Sequence, residues 1–222
     1  MYLPPAFHEQ RIPVLHDIIQ QTGLPTLVTL GENGLAATPV PMLLDREPGP
    51  LGRLRGHLAR ANPQARVLGR EIEALALFAG PDAYITPSWY AAKQETGKVV
   101  PTWNYVAVHA YGRVTMFDDA ERLLALVTAL TERHEAGRSQ PWVVGDAPAD
   151  FIESMLRGII GFELTISRLE GKSKLSQNRS PWDRAAVAAG LVAEGKPGPA
   201  AVGALIAAGE EGGGEPGSTG AK

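Results

Sequence analysis

The chain contains no cysteine, and this absence excludes several kinds of chemistry. Without a thiol there is no disulfide, no iron–sulfur ligation and no thiol nucleophile, a composition that suits the reducing cytoplasm. Long apolar runs are missing as well, since none approaches the roughly 20 residues that span a bilayer. The first five residues lack the basic start and apolar core of a signal peptide. We therefore expect a soluble, cytoplasmic protein that does not enter a membrane.

Several motifs that define enzyme classes are also missing. There is no G-x-G-x-x-G after a strand, no G-x-x-x-x-G-K-[ST] and no G-x-S-x-G, which argues against dinucleotide folds, P-loop enzymes and α/β-hydrolases. The five histidines show no H-E-x-x-H or other compact ligand spacing. Without cysteine beside them, they do not predict a metal site.

Positive charge is scarce overall but locally concentrated. The formal net charge is −3 and the pI is about 6.0, which argues against a protein whose whole surface binds nucleic acid. The basic stretch 53–70 holds five arginines together with His57. This stretch has two interpretations: it is either a solvent-exposed face or part of a binding site.

The spacing of apolar residues predicts a mainly β fold with flanking helices. Pro39 and Pro41 interrupt one strand, which should lie at a sheet edge or leave backbone groups free for a ligand. Asn33 and Gly34 form a strong hairpin signal. The predicted strands lie at 26–30, 35–45, 71–79, 83–86, 102–117 and 160–167.

Helical spacing around residues 15–19, 118–130, 148–157 and 181–208 places helices at the ends of these strands. Antiparallel strands with such helices fit an α+β arrangement built on a small barrel. We expect one domain over 1–190, with an N-terminal helix and a C-terminal helical segment. An Ala/Gly-rich helical extension at 191–208 and a disordered tail at 209–222 would follow it.

The predicted strand 102–117 has two chemically different faces. Its even positions, such as Val106 and Val108, are apolar and suit a core. The odd positions carry aromatic and hydrogen-bonding side chains, namely Trp103, Tyr105, His109, Tyr111 and Arg113. That face either packs under a helix or meets a flat ligand or a second subunit.

Residues 172–180 form a cationic segment directly before a predicted helix. It contains Lys172, Lys174 and Arg179, and Ser180 followed by proline is a strong helix-start signal. Cations beside a helix N-terminus can bind a phosphate through charge, amide donors and the helix dipole.

Five segments in consistent order resemble the PaiB-like family, described as FMN-binding negative transcriptional regulators. They are the first seven residues, GHLARANP at 56–63, YITPSWY at 84–90, VPTWNYVAVH at 100–109 and KLSQNR at 174–179. The resemblance covers about residues 1–190. It implies a Greek-key-like, flavin-binding split barrel related to pyridoxamine 5′-phosphate oxidase, working as a homodimer with FMN between the subunits.

By analogy with such barrels, each part of the flavin receives candidate residues. Those expected beside the isoalloxazine are Thr38, Pro39, Val40 and Pro41. Those expected at the phosphate and ribityl chain are His57, Arg60 and Asn62, supported by Thr86 and Ser88. Those expected to close the site are Lys174, Gln177 and Arg179, with Trp103, Asn104 and Tyr105 lining the interface.

Two functions follow from the resemblance. One is a transcriptional regulator that acts on DNA directly or through a regulatory protein; the other is an FMN-dependent oxidoreductase that reduces a small acceptor. The region 181–208 is mostly alanine and makes a poor DNA-reading helix. For the enzyme, His109 and Tyr105 are the candidate proton donors. A haem-binding variant with His57 or His109 as axial ligand is a third alternative.

Overall fold

The computed structural model describes residues 1–31, 34–67 and 73–211, which form eight strands and six α-helices. The strands are β1 His8–Glu9, β2 Thr26–Gly31, β3 Gly34–Pro39, β4 Met42–Asp45, β5 Arg53–Ala59, β6 Glu73–Ile85, β7 Thr102–Phe117 and β8 Ile159–Lys174. The helices are α1 Ile12–Gln21, α2 Ala92–Thr96, α3 Ala120–Glu135, α4 Ala149–Arg157, α5 Pro181–Ala193 and α6 Pro197–Glu211. None of the described helices is long and apolar enough to cross a membrane.

The strands pair in the order β3-β2-β6-β7-β8-β5-β4, and β1 adds to β8. The pairs β1–β8, β2–β3, β2–β6, β4–β5 and β5–β8 are antiparallel. Among the described residues, no pairing joins β3 to β4 and closes this path. The predicted mainly β, antiparallel architecture with flanking helices is confirmed. The strand pairing of the described residues forms an open sheet.

The chain divides into two compact units. Unit 1 contains Met1, Gln10–Ala79 and Val108–Glu170. Unit 2 contains Tyr2–Glu9, Gly80–Ala107 and the described residues from Gly171 onward. Strands β6, β7 and β8 therefore contribute residues to both units.

Unit 1 has a core between α1 and the strands. Leu15 and Ile19 point inward from α1, and Phe78 and Phe162 are fully buried on β6 and β8. Burial of each such side chain contributes about 1.5–3 kcal/mol. A second apolar cluster joins α3 and α4 through Leu126, Leu156 and their neighbours.

In unit 2, the helices α5 and α6 bury Val187, Leu191, Val202 and Ile206. Gly190 allows close packing on α5, because a Cβ atom there would lie 2.5 Å from the Trp89 ring. Ser180 is the N-cap of α5, and its Oγ accepts a hydrogen bond from the Asp183 amide at 3.2 Å. The predicted helix start is confirmed.

Two strand predictions were wrong in their extent. The predicted strand 35–45 is two strands, β3 and β4, which lie at opposite ends of the strand order because the prolines end one pairing before the next begins. The predicted strands 71–79 and 83–86 are a single strand, β6. Its pairing with β2 covers Leu75–Leu77, so Pro81 lies beyond that partner, where a missing N–H is tolerated.

The hairpin between β2 and β3 forms where Asn33 and Gly34 predict it, but each strand extends one residue further than predicted, with Gly31 opposite Gly34. Its turn residues 32 and 33 lie outside the described residues, as do residues 71 and 72 of a predicted strand and most of the predicted tail, from 212 onward.

Candidate functional site

Strand β7 has the two faces that its sequence predicts. Val106, Val108 and Ala110 are buried on one side, while Tyr105, His109 and Tyr111 are half-buried on the other. Trp103 is 54% exposed, and its ring meets that of Tyr84 edge-on with centroids 5.9 Å apart. The exposed aromatic pair leaves an apolar surface in water, which is typical of a binding face.

Asn104 is the polar exception on the buried side of β7, and it opens onto a cavity of about 180 Å³ in unit 2. The residues that line this cavity are Phe7, Tyr90, Val100, Pro101, Thr102, Asn104, Lys174, Ser176, Asn178 and Arg179. We call it the cation cavity. It brings together Lys174 and Arg179, two of the three cations for which the sequence predicts a phosphate; the third, Lys172, lies outside the lining and donates to the Tyr2 carbonyl at 3.0 Å.

Both cations of the cation cavity are held in place. Lys174 Nζ donates a hydrogen bond to Thr102 Oγ1 at 2.6 Å. The Arg179 guanidinium lies over the Tyr90 ring, 4.7 Å from its centroid. Such a cation–π contact orients the guanidinium while leaving its edge N–H groups available to an anion.

Two buried polar atoms in the walls of the cation cavity have no hydrogen-bond partner. They are the Tyr90 hydroxyl and Asn104 Oδ1, on side chains that are 2% and 1% exposed. The Asn104 Nδ2 group donates to Ser176 Oγ at 2.8 Å. A buried polar atom without a partner costs about 1–3 kcal/mol, so native proteins rarely keep one without a ligand or water to bind.

The loop after β8 presents these cations. Ser176 takes a left-handed conformation with φ of 64°, and its carbonyl accepts a hydrogen bond from the Arg179 amide at 2.9 Å. Gln177 was predicted to contact the cofactor, but its side chain bonds this loop: Oε1 accepts from the Leu175 amide and Nε2 donates to the Ser173 carbonyl. The role that these contacts support is positioning of the loop.

The other predicted residues of unit 2 have local partners. Thr86 Oγ1 accepts from the Ser88 amide at 3.2 Å and begins a short 3-10 helix. Ser88 Oγ accepts from Lys93 Nζ at 3.2 Å. The Tyr105 ring lies 5.3 Å from Nζ of the buried Lys172.

In unit 1, Thr38 and Asn62 meet at a buried glutamine. Thr38 Oγ1 donates to Gln64 Oε1 at 2.6 Å, and Asn62 Nδ2 donates to Thr38 Oγ1 at 3.3 Å. Asn62 Oδ1 also accepts from the Gln64 amide and caps a short 3-10 helix. Pro39 ends β3, and the Val40 amide donates to the Pro25 carbonyl. These contacts give the side chains of Thr38 and Asn62 a structural role in unit 1.

The remaining two predicted phosphate residues have different surroundings. Arg60 donates to the carbonyls of Arg157 and Ile159 and lies 3.6 Å from an Asp118 oxygen, so its guanidinium is largely engaged. His57 lines a groove with Pro41, and burial lowers its pKa below the ordinary value. A neutral imidazole is a poor phosphate ligand.

His109 belongs to a titratable network in unit 1. His109 Nδ1 lies 3.4 Å from the Tyr111 hydroxyl, which donates to Glu170 Oε2 at 3.3 Å. Burial, together with the positive charges of the Met1 amino group and Arg168, lowers the pKa of His109. Glu170 binds the Met1 amino group, which outweighs burial and lowers the pKa of the carboxyl.

Three residues at these sites were not predicted from the sequence, namely Tyr90, Ser176 and Gln64. Tyr90 lies within a segment that the family resemblance already uses, so an aromatic residue paired with a cation could have been suspected there. No local pattern marks Ser176 or Gln64, because their partners are distant in the sequence.

Comparison with known proteins identifies the family. The family model described as "Putative FMN-binding domain" matches residues 1–168. The chain belongs to this FMN-binding family. The predicted PaiB-like resemblance and the FMN cofactor are thereby confirmed at the level of the family. The match ends before the segment 172–180 that supplies the cations.

Two relatives agree with this assignment. The chain is 33% identical to the protease synthase and sporulation protein PAI 2 of Bacillus subtilis, over 82% of this chain and 85% of that protein. It is 36% identical to an uncharacterized protein of Emericella nidulans, over 86% of this chain and 90% of that protein.

Solved structures confirm the split-barrel fold. A FAD and heme binding protein from Mycobacterium smegmatis matches with a TM-score of 0.56 and 18% identity, over 75% of this chain and 73% of that one. The flavocytochrome Anf3 from Azotobacter vinelandii matches with a TM-score of 0.57 and 14% identity, over 78% and 72%. At such identities the likeness concerns the fold alone.

Proposed function

We propose that this protein is an FMN-binding negative regulator of transcription that holds its flavin at the interface of a homodimer. The cation cavity is the observation that carries the proposal. Lys174 and Arg179 supply charge for the FMN phosphate, while Tyr90 and Asn104 supply buried polar groups that a phosphoryl or ribityl oxygen can satisfy.

The size of the cation cavity determines which part of FMN it can take. Its volume of about 180 Å³ is below the roughly 300 Å³ from which pockets for whole small ligands begin. It therefore suits the phosphoryl end, and the ring must lie outside it. The exposed Trp103 and Tyr84 offer an aromatic surface that a second subunit would shelter together with the ring. Contacts of the ring with residues 38–41 stay predictions.

Regulation through a protein partner fits the chain better than direct reading of DNA. The relative PAI 2 is named for protease synthesis and sporulation, which supports a regulatory role. The described helices α5 and α6 carry few cations, and Lys196 between them is paired with Glu194 at 3.3 Å. A DNA-reading helix needs several free cations and polar groups.

The first experiment identifies the small molecule that the purified protein releases on denaturation. Mass spectrometry should find FMN, and the native mass should equal two chains. Haem in place of FMN, or a colourless protein that does not take up added FMN, would contradict the proposal.

The second experiment locates the phosphate. Lys174→Ala and Arg179→Ala should each weaken FMN binding by roughly 1.5–3 kcal/mol, because each removes a charge-assisted contact. Riboflavin, which has no phosphate, should bind wild type and both variants alike. Lys196→Ala is the matched control, since this lysine is largely exposed and outside the cavity. A loss on Arg60→Ala with none on Arg179→Ala would move the phosphate to unit 1.

One observation favours the oxidoreductase as a second candidate. The His109 and Tyr111 network can hold a proton on the half-buried face of β7. In that case the protein should oxidise NAD(P)H with added FMN faster than free FMN does. His109→Gln should lower this rate more than it lowers FMN affinity.

A further inference from the structure

A groove in unit 1 combines apolar walls with one buried nitrogen that has no hydrogen-bond partner. It has a volume of about 330 Å³, and its lining residues are Pro41, His57, Val127, Leu130, Thr131, His134, Glu135 and Trp142. We call it the His57 groove. Val127, Leu130 and Thr131 face it from α3, and Trp142 stands 44% exposed at its side. It shares no lining residue with the cation cavity.

The lining of the His57 groove includes the polar side chains of Thr131, His134 and Glu135, and one further polar atom differs from them in being buried without a partner. His57 Nδ1 is buried and has no hydrogen-bond partner. The Glu135 carboxylate is already engaged, because it accepts from the Trp142 amide at 3.1 Å and from Arg138 Nε at 3.1 Å. Burial lowers the pKa of His57, so the ring is neutral at pH 7 and one nitrogen is an acceptor.

These surroundings define the chemistry of a ligand. An anion would meet the Glu135 carboxylate and an uncharged imidazole, and a cation would have to leave water for apolar walls. A planar aromatic ring can instead pack against Trp142 and the aliphatic side chains of α3. The volume lies near the lower limit of small-molecule pockets, which suits a ligand of one or two rings.

We propose that the His57 groove binds a neutral aromatic molecule with one O–H or N–H donor, of the phenol or indole class, which donates to His57 Nδ1. Such a molecule would be an effector that binds in addition to the flavin. Pro41 and His57 are also predicted at the flavin, so a separate effector site replaces that prediction for these two residues; binding of the FMN phosphate in the cation cavity does not depend on it.

The test uses phenol and its O-methyl ether, anisole, as probes of the full-length protein. Binding is followed by calorimetry and by the indole N–H signal of Trp142, assigned with a Trp142→Phe variant. We expect phenol to shift this signal and not those of the other tryptophans. His57→Leu should weaken phenol binding roughly tenfold, as expected for one buried hydrogen bond, and leave anisole binding within about twofold.

His8→Leu is the matched control, because His8 is exposed and does not line the groove; phenol should bind this variant as it binds wild type. If His57→Leu does not fold, the position of phenol in wild type still tests the site through Trp142 and through transfer of magnetisation between phenol and Val127. Absence of both signals would overturn the proposal, as would equal losses for phenol and anisole.

A final arm separates an effector from the flavin itself. Phenol should bind the FMN-loaded and FMN-free protein with the same affinity. If FMN abolishes phenol binding, the groove holds the flavin ring and the proposal of a separate effector is wrong, while FMN binding itself stands.

Discussion

At the scale of single residues, the cation cavity contains a side chain that lowers the stability of the ligand-free protein but can bind a ligand. The Tyr90 hydroxyl is buried without a partner, which disfavours the ligand-free fold. A residue that costs stability in the free protein is typical of a binding site, where the ligand supplies the missing partner.

Tyr90→Phe tests this conflict directly. The ligand-free protein should keep its stability or gain about 1 kcal/mol, because an unsatisfied hydroxyl is removed. FMN affinity should fall about tenfold, since the ligand loses a hydrogen bond. Urea unfolding and FMN titration measure the two effects. Tyr84→Phe, on an exposed ring, is the control; a loss of stability in Tyr90→Phe without loss of affinity would show that the hydroxyl has a structural role.

Histidine burial makes a prediction about pH. The folded-state pKa values of His57 and His109 lie below the ordinary 6.5, so the unfolded chain binds more protons in this range. Stability should therefore be fully present above pH 6.5 and decrease as the pH falls from 6.5 through the lowered values. Urea unfolding between pH 7.5 and 5.5 measures the slope. His57→Asn should make the slope shallower, and His8→Asn, at an exposed histidine, is the comparison. An unchanged slope in His57→Asn would contradict the prediction.

At the scale of elements, local pattern predicted those parts whose partners are local. The alternation of apolar and polar side chains in β7 and the N-cap of α5 both depend on residues close together in the sequence, and both were predicted correctly. The second half of β8 was missed because Arg168, Glu170 and Lys172 break its apolar alternation. Their partners come from far along the chain: Glu170 binds the Met1 amino group, and Lys172 donates to the Tyr2 carbonyl.

The cap of α5 can be tested as an element. Ser180→Ala should lower the free energy of unfolding by about 1 kcal/mol, because the Asp183 amide loses its acceptor. Ser180→Asp should restore most of that loss. Chemical denaturation measures both, with the exposed Ser139→Ala as control. Equal stability of Ser180→Ala and wild type would mean that water replaces the cap without cost.

At the scale of the whole molecule, the fold class was predictable from the sequence, and the single domain over 1–190 stays a prediction. Within the chain, two compact units alternate along the sequence, because the long strands carry the chain from one to the other. Sequence composition has no signal for such a division, since it depends on pairings between distant segments. The contacts of the candidate residues with FMN stay predictions. Lys174 and Arg179 line the cation cavity, whereas Gln177, Arg60 and Asn62 bond groups of the protein itself, which residue type and charge alone do not reveal.

Dimerisation is the prediction that belongs to this scale. Trp103→Ala should shift the protein from two chains toward one and weaken FMN binding, because the exposed aromatic surface is proposed to be covered by the partner. Sedimentation velocity with and without FMN measures the change. Trp182→Ala is a matched control, as this side chain is 83% exposed on α5. A monomeric wild type that binds FMN normally would contradict the prediction.

The passage of β6, β7 and β8 through both units has an evolutionary consequence. Unit 2 draws on three separate stretches of the chain, so a recombination event that transfers the cation cavity intact must carry the sequence from Phe7 to Arg179, including most of unit 1. Descendants of such a gene would diversify their ligands more readily side chain by side chain than by exchanging modules.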